Sequence, residues 1–122
     1  MLTSAKTLVQ AEVFDSELEQ ATELQRAGYN AAAAVIAGTV LETTIRKICD
    51  NHQIAQGKQD KLDKLNADLV KAGIYNSLVQ KRVTALAAVR NSAAHGKVDE
   101  YRAEDVTSMI DEVARFVEQH LS

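Results

Sequence analysis

The sequence contains no proline and no tryptophan, one cysteine, five glycines and only 4% aromatic residues. Without proline, nothing forces a helix to break at a missing N–H. Cys49 has no second cysteine to pair with, so an intramolecular disulfide is excluded and a reducing compartment is expected. The longest apolar stretch, AAAAVIAG at 31–38, is too short to span a bilayer. The N-terminus lacks the basic start and apolar run of a signal peptide. No membrane association and a cytoplasmic location are therefore expected. A net charge of −3 argues against a protein that coats nucleic acid with its whole surface, though it leaves room for a local basic cleft.

There is no internal repeat, low-complexity linker or shift in composition, so residues 1–122 read as one domain. Alanine, leucine, glutamate, lysine and glutamine are plentiful, and they favour helix. Residues 16–27 open with Ser16 and Glu19 at capping-box spacing, and Leu18, Ala21 and Leu24 follow at helical intervals. The segment before, with Leu8, Val9, Val13 and Phe14, is also helical in pattern. It forms an N-terminal extension over 1–15, either continuous with the next helix or separate from it. Ala34, Ala37, Leu41, Ile45 and Ile48 form one stripe and predict a central helix over 29–51. Ala31 and Gly38 beside the stripe leave room for a neighbouring helix to approach. Glu42 and Arg46 on its flank form either a surface ion pair, worth a few tenths of a kcal/mol, roughly, or part of a cleft. A polar connection, 52–60, leads to a short helix over 61–72. A further helix runs over 76–94, Gly96 ends it, and KVDEY is a charged loop. The last helix covers 103–121. Glu104 and Asp105 suit its N-terminus, and Val106, Met109, Ile110, Val113, Phe116, Val117 and Leu121 form its buried stripe. No segment patterns as a strand. The expected fold is all-α, an antiparallel bundle of four or five helices.

The stretch AAVRNSAAHGK, residues 87–97, does not fit a plain core helix. At about 100° per residue, Val79, Val83, Leu86 and Ala94 fall within roughly 40° of Arg90. A guanidinium in an apolar stripe is costly unless it is paired or opens onto an interface or cleft. On the same ideal helix His95 lies about 140° away, on the polar side with Lys81 and Thr84, four residues after Asn91. A histidine beside a glycine also reads as a helix C-cap.

VRNSAAHGK resembles the signature of HEPN domains, the higher-eukaryote-and-prokaryote nucleotide-binding family: an arginine, four to six residues, then a histidine near the end of a late helix. Arg90 and His95 match it. Asn91 supplies the polar residue that follows the arginine in the form associated with active ribonucleases. RAGYNAAAAVIAGTVLETTIRKIC is similar to the alanine-rich second helix of the family. KLDKLNADLVKAGIYNSLVQKRVTALAAVRNSAAHG is similar to its run from short helix to signature helix. The resemblance covers roughly residues 16–121. It implies a HEPN-like bundle that forms a homodimer with signature helices facing, so that arginine and histidine from both chains line one cleft. It further implies metal-independent endoribonuclease chemistry of toxin or defence type on single-stranded RNA, leaving a 2′,3′-cyclic phosphate. The site residues it implies are Arg90, Asn91 and His95, and an antitoxin or a nucleotidyltransferase is the implied protein partner. Histidine titrates near neutral pH and transfers protons, while arginine grips phosphate oxygens bidentately.

Other chemistries find little support. His52, His95 and His120 are scattered and Cys49 stands alone, so no metal site is expected. AQGKQD lacks the glycines and the Ser/Thr of a phosphate-binding loop, and no cofactor is expected. No Ser–His–Asp set and no basic recognition helix stands out. A non-catalytic dimeric HEPN-like interaction or nucleotide-binding module remains the alternative.

Overall fold

A computed structural model of the chain describes residues 5–121. Its helices are α1 (Ala5–Arg26), α2 (Asn30–Asn51), α3 (Leu62–Lys71), α4 (Ser77–Ala94) and α5 (Ala103–Leu121), with one 3-10 turn over Val98–Glu100. There is no strand among the described residues. The fold is an all-α bundle. The calls on residues 1–4 and 122, and on the side chain of Leu8, lie outside what is described.

The central helix is α2, which packs against α1, α3, α4 and α5. All five residues of its sequence stripe are buried, and Ala33, Gly38, Val40, Thr44 and Cys49 join them. A helix covered on this many sides has to be apolar round most of its circumference. The Thr44 hydroxyl fits there because it donates to the Val40 carbonyl at 2.8 Å. The α5 stripe is buried at all seven expected positions. Its first turn carries Glu104 and Asp105 as anticipated, and Asp105 accepts from the Arg102 amide at 2.8 Å.

Two local questions are settled. Of the two alternatives at the N-terminus, the continuous helix holds: α1 runs without a break from Ala5 to Arg26, and Ser16 lies inside it. Phe14 and Leu18 bury against the core on either side of the supposed boundary, and that packing carries the helix through it. Val9 and Val13 are exposed. The segment read as a charged loop contains the turn at 98–100, fastened to α4 by Ser92 donating to Glu100 at 2.7 Å.

The α3–α4 hairpin sets the position of the Arg90 helix. Asn66 is fully buried. It accepts from the Tyr75 hydroxyl at 2.5 Å and donates to the Gln80 carbonyl at 3.0 Å and to Thr84 at 3.3 Å. One amide thus ties α3, the turn and α4 together with its polar atoms satisfied. Asn76 caps α4, accepting from the Val79 amide at 3.0 Å. On the far side, Arg82 ion-pairs with Glu112 of α5.

Candidate active site at the end of α4

α4 crosses α2 at Gly38. A Cβ on Gly38 would lie 2.1 Å from Arg90 Cγ and 2.6 Å from Arg90 Cβ, closer than atoms can approach. Glycine at 38 therefore makes room for the stem of the Arg90 side chain. The aliphatic stem lies on the α2 backbone, and Arg90 as a whole is half-buried. Its Nε is buried and has no hydrogen-bond partner. No carboxylate among the described residues ion-pairs with the guanidinium. Arginine stays charged at any physiological pH, so this group is a cation still short of an acceptor.

Helix α4 ends just past it. The His95 amide donates to Asn91, the Gly96 amide to Ala93 at 3.2 Å and the Lys97 amide to Ser92 at 2.8 Å. The last two bonds form a Schellman motif. Gly96 takes the left-handed conformation, φ +70°, which only glycine adopts cheaply. His95 is the C-cap residue, as its place beside glycine suggested, and its side chain is exposed.

The expected angular conflict between Arg90 and His95 resolves on the helix surface. Arg90, Asn91 and His95 line one cleft of about 350 Å³. Taking about 100° per residue, Ala87 stands near +60°, Asn91 near +100° and His95 near +140° from Arg90. The cleft faces the middle of that arc. Arg90 forms its apolar edge and His95 its polar edge, and the helix stays regular through Ala94. Ala93, and not Ala94, turns into the core.

The sequence reading had not assigned Lys61, Leu62 or Asp63 at the start of α3 to this cleft, and Glu42 was only an alternative. Gly38, Ala87 and Leu62 give it small and apolar surface, while Glu42, Lys61 and Asp63 give it charge. The signal for Glu42 was its spacing of four from Gly38, which puts both on one face of α2. Nothing local marked Lys61, which reaches the cleft only because the 52–61 connection folds back.

That connection is fixed by Arg46. Its guanidinium donates to the Asp60 carbonyl at 2.6 Å, to Gln56 Oε1 at 3.2 Å and to the Gly57 carbonyl at 3.4 Å. Gln56 donates back to the Arg46 carbonyl at 3.0 Å and to Asp50 at 2.7 Å. The expected pair with Glu42 is present at 3.8 Å, looser than these bonds. The Gly57 amide donates to Asp60 at 2.8 Å. That bond, helped by Lys64, holds the Asp60 carboxyl below the usual carboxylate range. Lys64 is pushed up in turn by its bonds to Asp68 and Asp60.

A larger and more open hollow of about 760 Å³ lies along α1 beside Tyr29. It has carboxylates from Glu19 and Glu23, no histidine, and an arginine, Arg26, already paired to Glu23 at 2.7 Å. A histidine, an asparagine and an arginine that pairs with no carboxylate among the described residues meet in the smaller cleft on α4. Among the described residues no group of three or more histidine, cysteine or acidic side chains is arranged to hold a metal ion, and no helix is long and apolar enough to cross a membrane.

Compared with known proteins, residues 12–120 match the family model Abi_C, described as a HEPN-like domain. No match was found among curated proteins or among solved structures.

Proposed function

The chain belongs to the HEPN-like domain family, and on that premise we propose that it is a dimeric, metal-independent endoribonuclease of toxin or defence type acting on single-stranded RNA. The observation that carries this reading is Arg90. A half-buried guanidinium whose buried Nε has no acceptor among the described residues shares a cleft with an exposed histidine and an exposed asparagine. A phosphodiester supplies the missing acceptors. In the proposed reaction the 2′-hydroxyl attacks the adjacent phosphorus, giving up its proton. The bond to the 5′-oxygen breaks and that oxygen takes up a proton. The products are a 2′,3′-cyclic phosphate and a 5′-hydroxyl. His95 moves one of these protons. Arg90 holds the phosphorane oxygens, whose charge grows in the transition state. Asn91 orients the imidazole or the phosphate through its amide.

One histidine serves only one of the two proton transfers, and a two-fold dimer supplies the second. The outer face of α4 suits such pairing. Leu78 is 67% exposed, and Ala85 and Ala88 on the same side are exposed and small. The protein partner of this reading is an antitoxin or a nucleotidyltransferase.

The test is cleavage of a mixed-sequence single-stranded RNA in EDTA by wild type and by His95→Ala. Cleavage that persists in EDTA, leaves cyclic-phosphate ends and falls about 10²–10⁴-fold in the variant is the expected result. Equal cleavage by both proteins identifies a contaminating nuclease and removes the reading. A monomer at micromolar concentration by analytical ultracentrifugation removes the dimer. The second reading, a non-catalytic dimeric interaction or nucleotide-binding module, is favoured by Glu42 and Asp63, whose carboxylates stand in the same cleft and repel a polyanion.

A further inference from the structure

The cleft contains two carboxylates, Glu42 and Asp63, and two permanent cations, Arg90 and Lys61. With His95 neutral, the charges cancel. Without Lys61 the charges lining the cleft are two carboxylates and one guanidinium, offset only by the looser pairing of Glu42 with Arg46 at 3.8 Å, and an entering phosphodiester chain loses attraction. Lys61 is exposed, and no carboxylate among the described residues pairs with it. The lysine three positions on is engaged differently: Lys64 bonds Asp68 at 3.0 Å and lies 3.4 Å from Asp60. Lys61 is also delivered to the cleft by a built device. Arg46 holds the carbonyl of the preceding residue, Asp60, at 2.6 Å, and Asp60 is bonded to Gly57 within the same loop.

We propose that Lys61 binds a phosphate of the RNA strand next to the one held by Arg90, and that Arg46 is the positioning residue that keeps Lys61 there. The proposal rests on the ribonuclease reading above and adds to it a substrate-binding residue outside the signature helix. Lys61 touches a flanking phosphate, which is equally charged before and during the reaction, so it contributes to binding and not to the chemical step. Arg46 does not line the cleft; it acts through the loop and, more weakly, through its 3.8 Å pair with Glu42.

The experiment uses the full chain, a labelled single-stranded 2′-O-methyl oligonucleotide that cannot be cleaved, and the matching ribo-oligonucleotide. Binding of the former is measured across a salt series, and kcat and KM are measured on the latter. One lost phosphate contact lowers the slope of log K against log salt by about 0.7 for a single strand, which is about five-fold in affinity per decade of salt. Lys61→Ala is expected to lose about 0.7 of that slope, to raise KM most at low salt and progressively less as salt rises, and to leave kcat unchanged. Lys61→Arg is expected to restore binding. Arg46→Ala is expected to lose at least as much slope and affinity as Lys61→Ala, since it also frees the Glu42 carboxylate, while the circular dichroism spectrum stays helical. Asp63→Asn removes a repulsive charge and is expected to tighten binding. Cleavage by the wild type with slope and KM unchanged in Lys61→Ala overturns the assignment of Lys61 and leaves the ribonuclease reading standing. A wild type that neither binds nor cleaves overturns both. A fall in kcat with unchanged KM overturns the binding role.

Discussion

Arg46 on α2 and Arg90 on α4 stand on two helices that pack on each other, yet their surroundings are opposite. Around Arg46 the guanidinium meets two loop carbonyls and a glutamine oxygen, with a glutamate nearby. The stem of Arg90 lies on a glycine, and its Nε is buried with no acceptor among the described residues. The physical cost of burying charge is the same for both. At Arg46 the protein supplies the compensation itself, and the group becomes part of the scaffold. At Arg90 no described residue supplies it to the buried Nε, and the proposed function assigns that part to the substrate. The contrast separates an arginine that fixes structure from one that, on the ribonuclease proposal, takes an anion, although both residues are arginines in helices of similar composition.

The largest expected effect breaks that contrast if it fails. Arg90→Ala removes the cation that faces the phosphorane in the proposed reaction, and kcat is expected to fall about 10²–10³-fold, the usual result of losing one stabiliser of transition-state charge. Arg46→Ala is expected to leave kcat within a few-fold, by order of magnitude, and to raise KM. Steady-state kinetics on one RNA substrate compares them. Equal losses of kcat erase the distinction between the two residues.

A smaller effect sharpens it. In Gly38→Ala the new methyl collides with the root of the Arg90 side chain. Atoms next to the backbone cannot swing aside, so α4 has to shift. Overpacking of this kind costs about 1–3 kcal/mol, offset by roughly 1 kcal/mol of helix propensity gained on replacing glycine. Chemical denaturation is expected to show a net loss. In an Arg90→Ala background the loss is expected to shrink but persist, because the Cβ at 90 remains 2.6 Å from the new methyl. A Gly38→Ala protein that is as stable and active as wild type would mean the two helices cross less tightly than described.

The smallest effect concerns the Arg46 loop. The Asp60 carboxyl is held below its ordinary value of 3.8 by the Gly57 amide, with help from Lys64. A carboxylate depressed on folding contributes stability above its unfolded value and loses that contribution as pH falls through the folded one. Asp60→Asn is therefore expected to lower the thermal midpoint slightly at pH 6. The difference from wild type is expected to close as the pH drops below 3.8. Thermal melts at pH 6, 4 and 3 read it, on the order of a degree or less for an exposed pair. A constant difference at all three values would mean that Asp60 holds the loop through its shape and not its charge.

Much of the architecture was legible in the chain. The stripes on α2 and α5 have a single periodicity, and each helix ends where glycine or a polar connection permits. The α5 stripe was read residue for residue, because burial of an amphipathic face follows from side-chain direction alone. The choice at Ser16, open between one helix and two, has a definite cause. A serine with a glutamate three residues later caps a helix only if the helix begins there, and the packing of Phe14 and Leu18 outweighs that local option.

By itself the sequence determined an all-helical bundle and placed Arg90, Asn91 and His95 at the end of one helix, because both follow from spacing along a single strand of chain. The tertiary structure decided that the three residues border one cleft, that Gly38 gives Arg90 its seat, and that a loop gripped by Arg46 brings Lys61 and Asp63 to the opposite wall. Those facts depend on distances between residues far apart in the chain, and no local pattern encodes them.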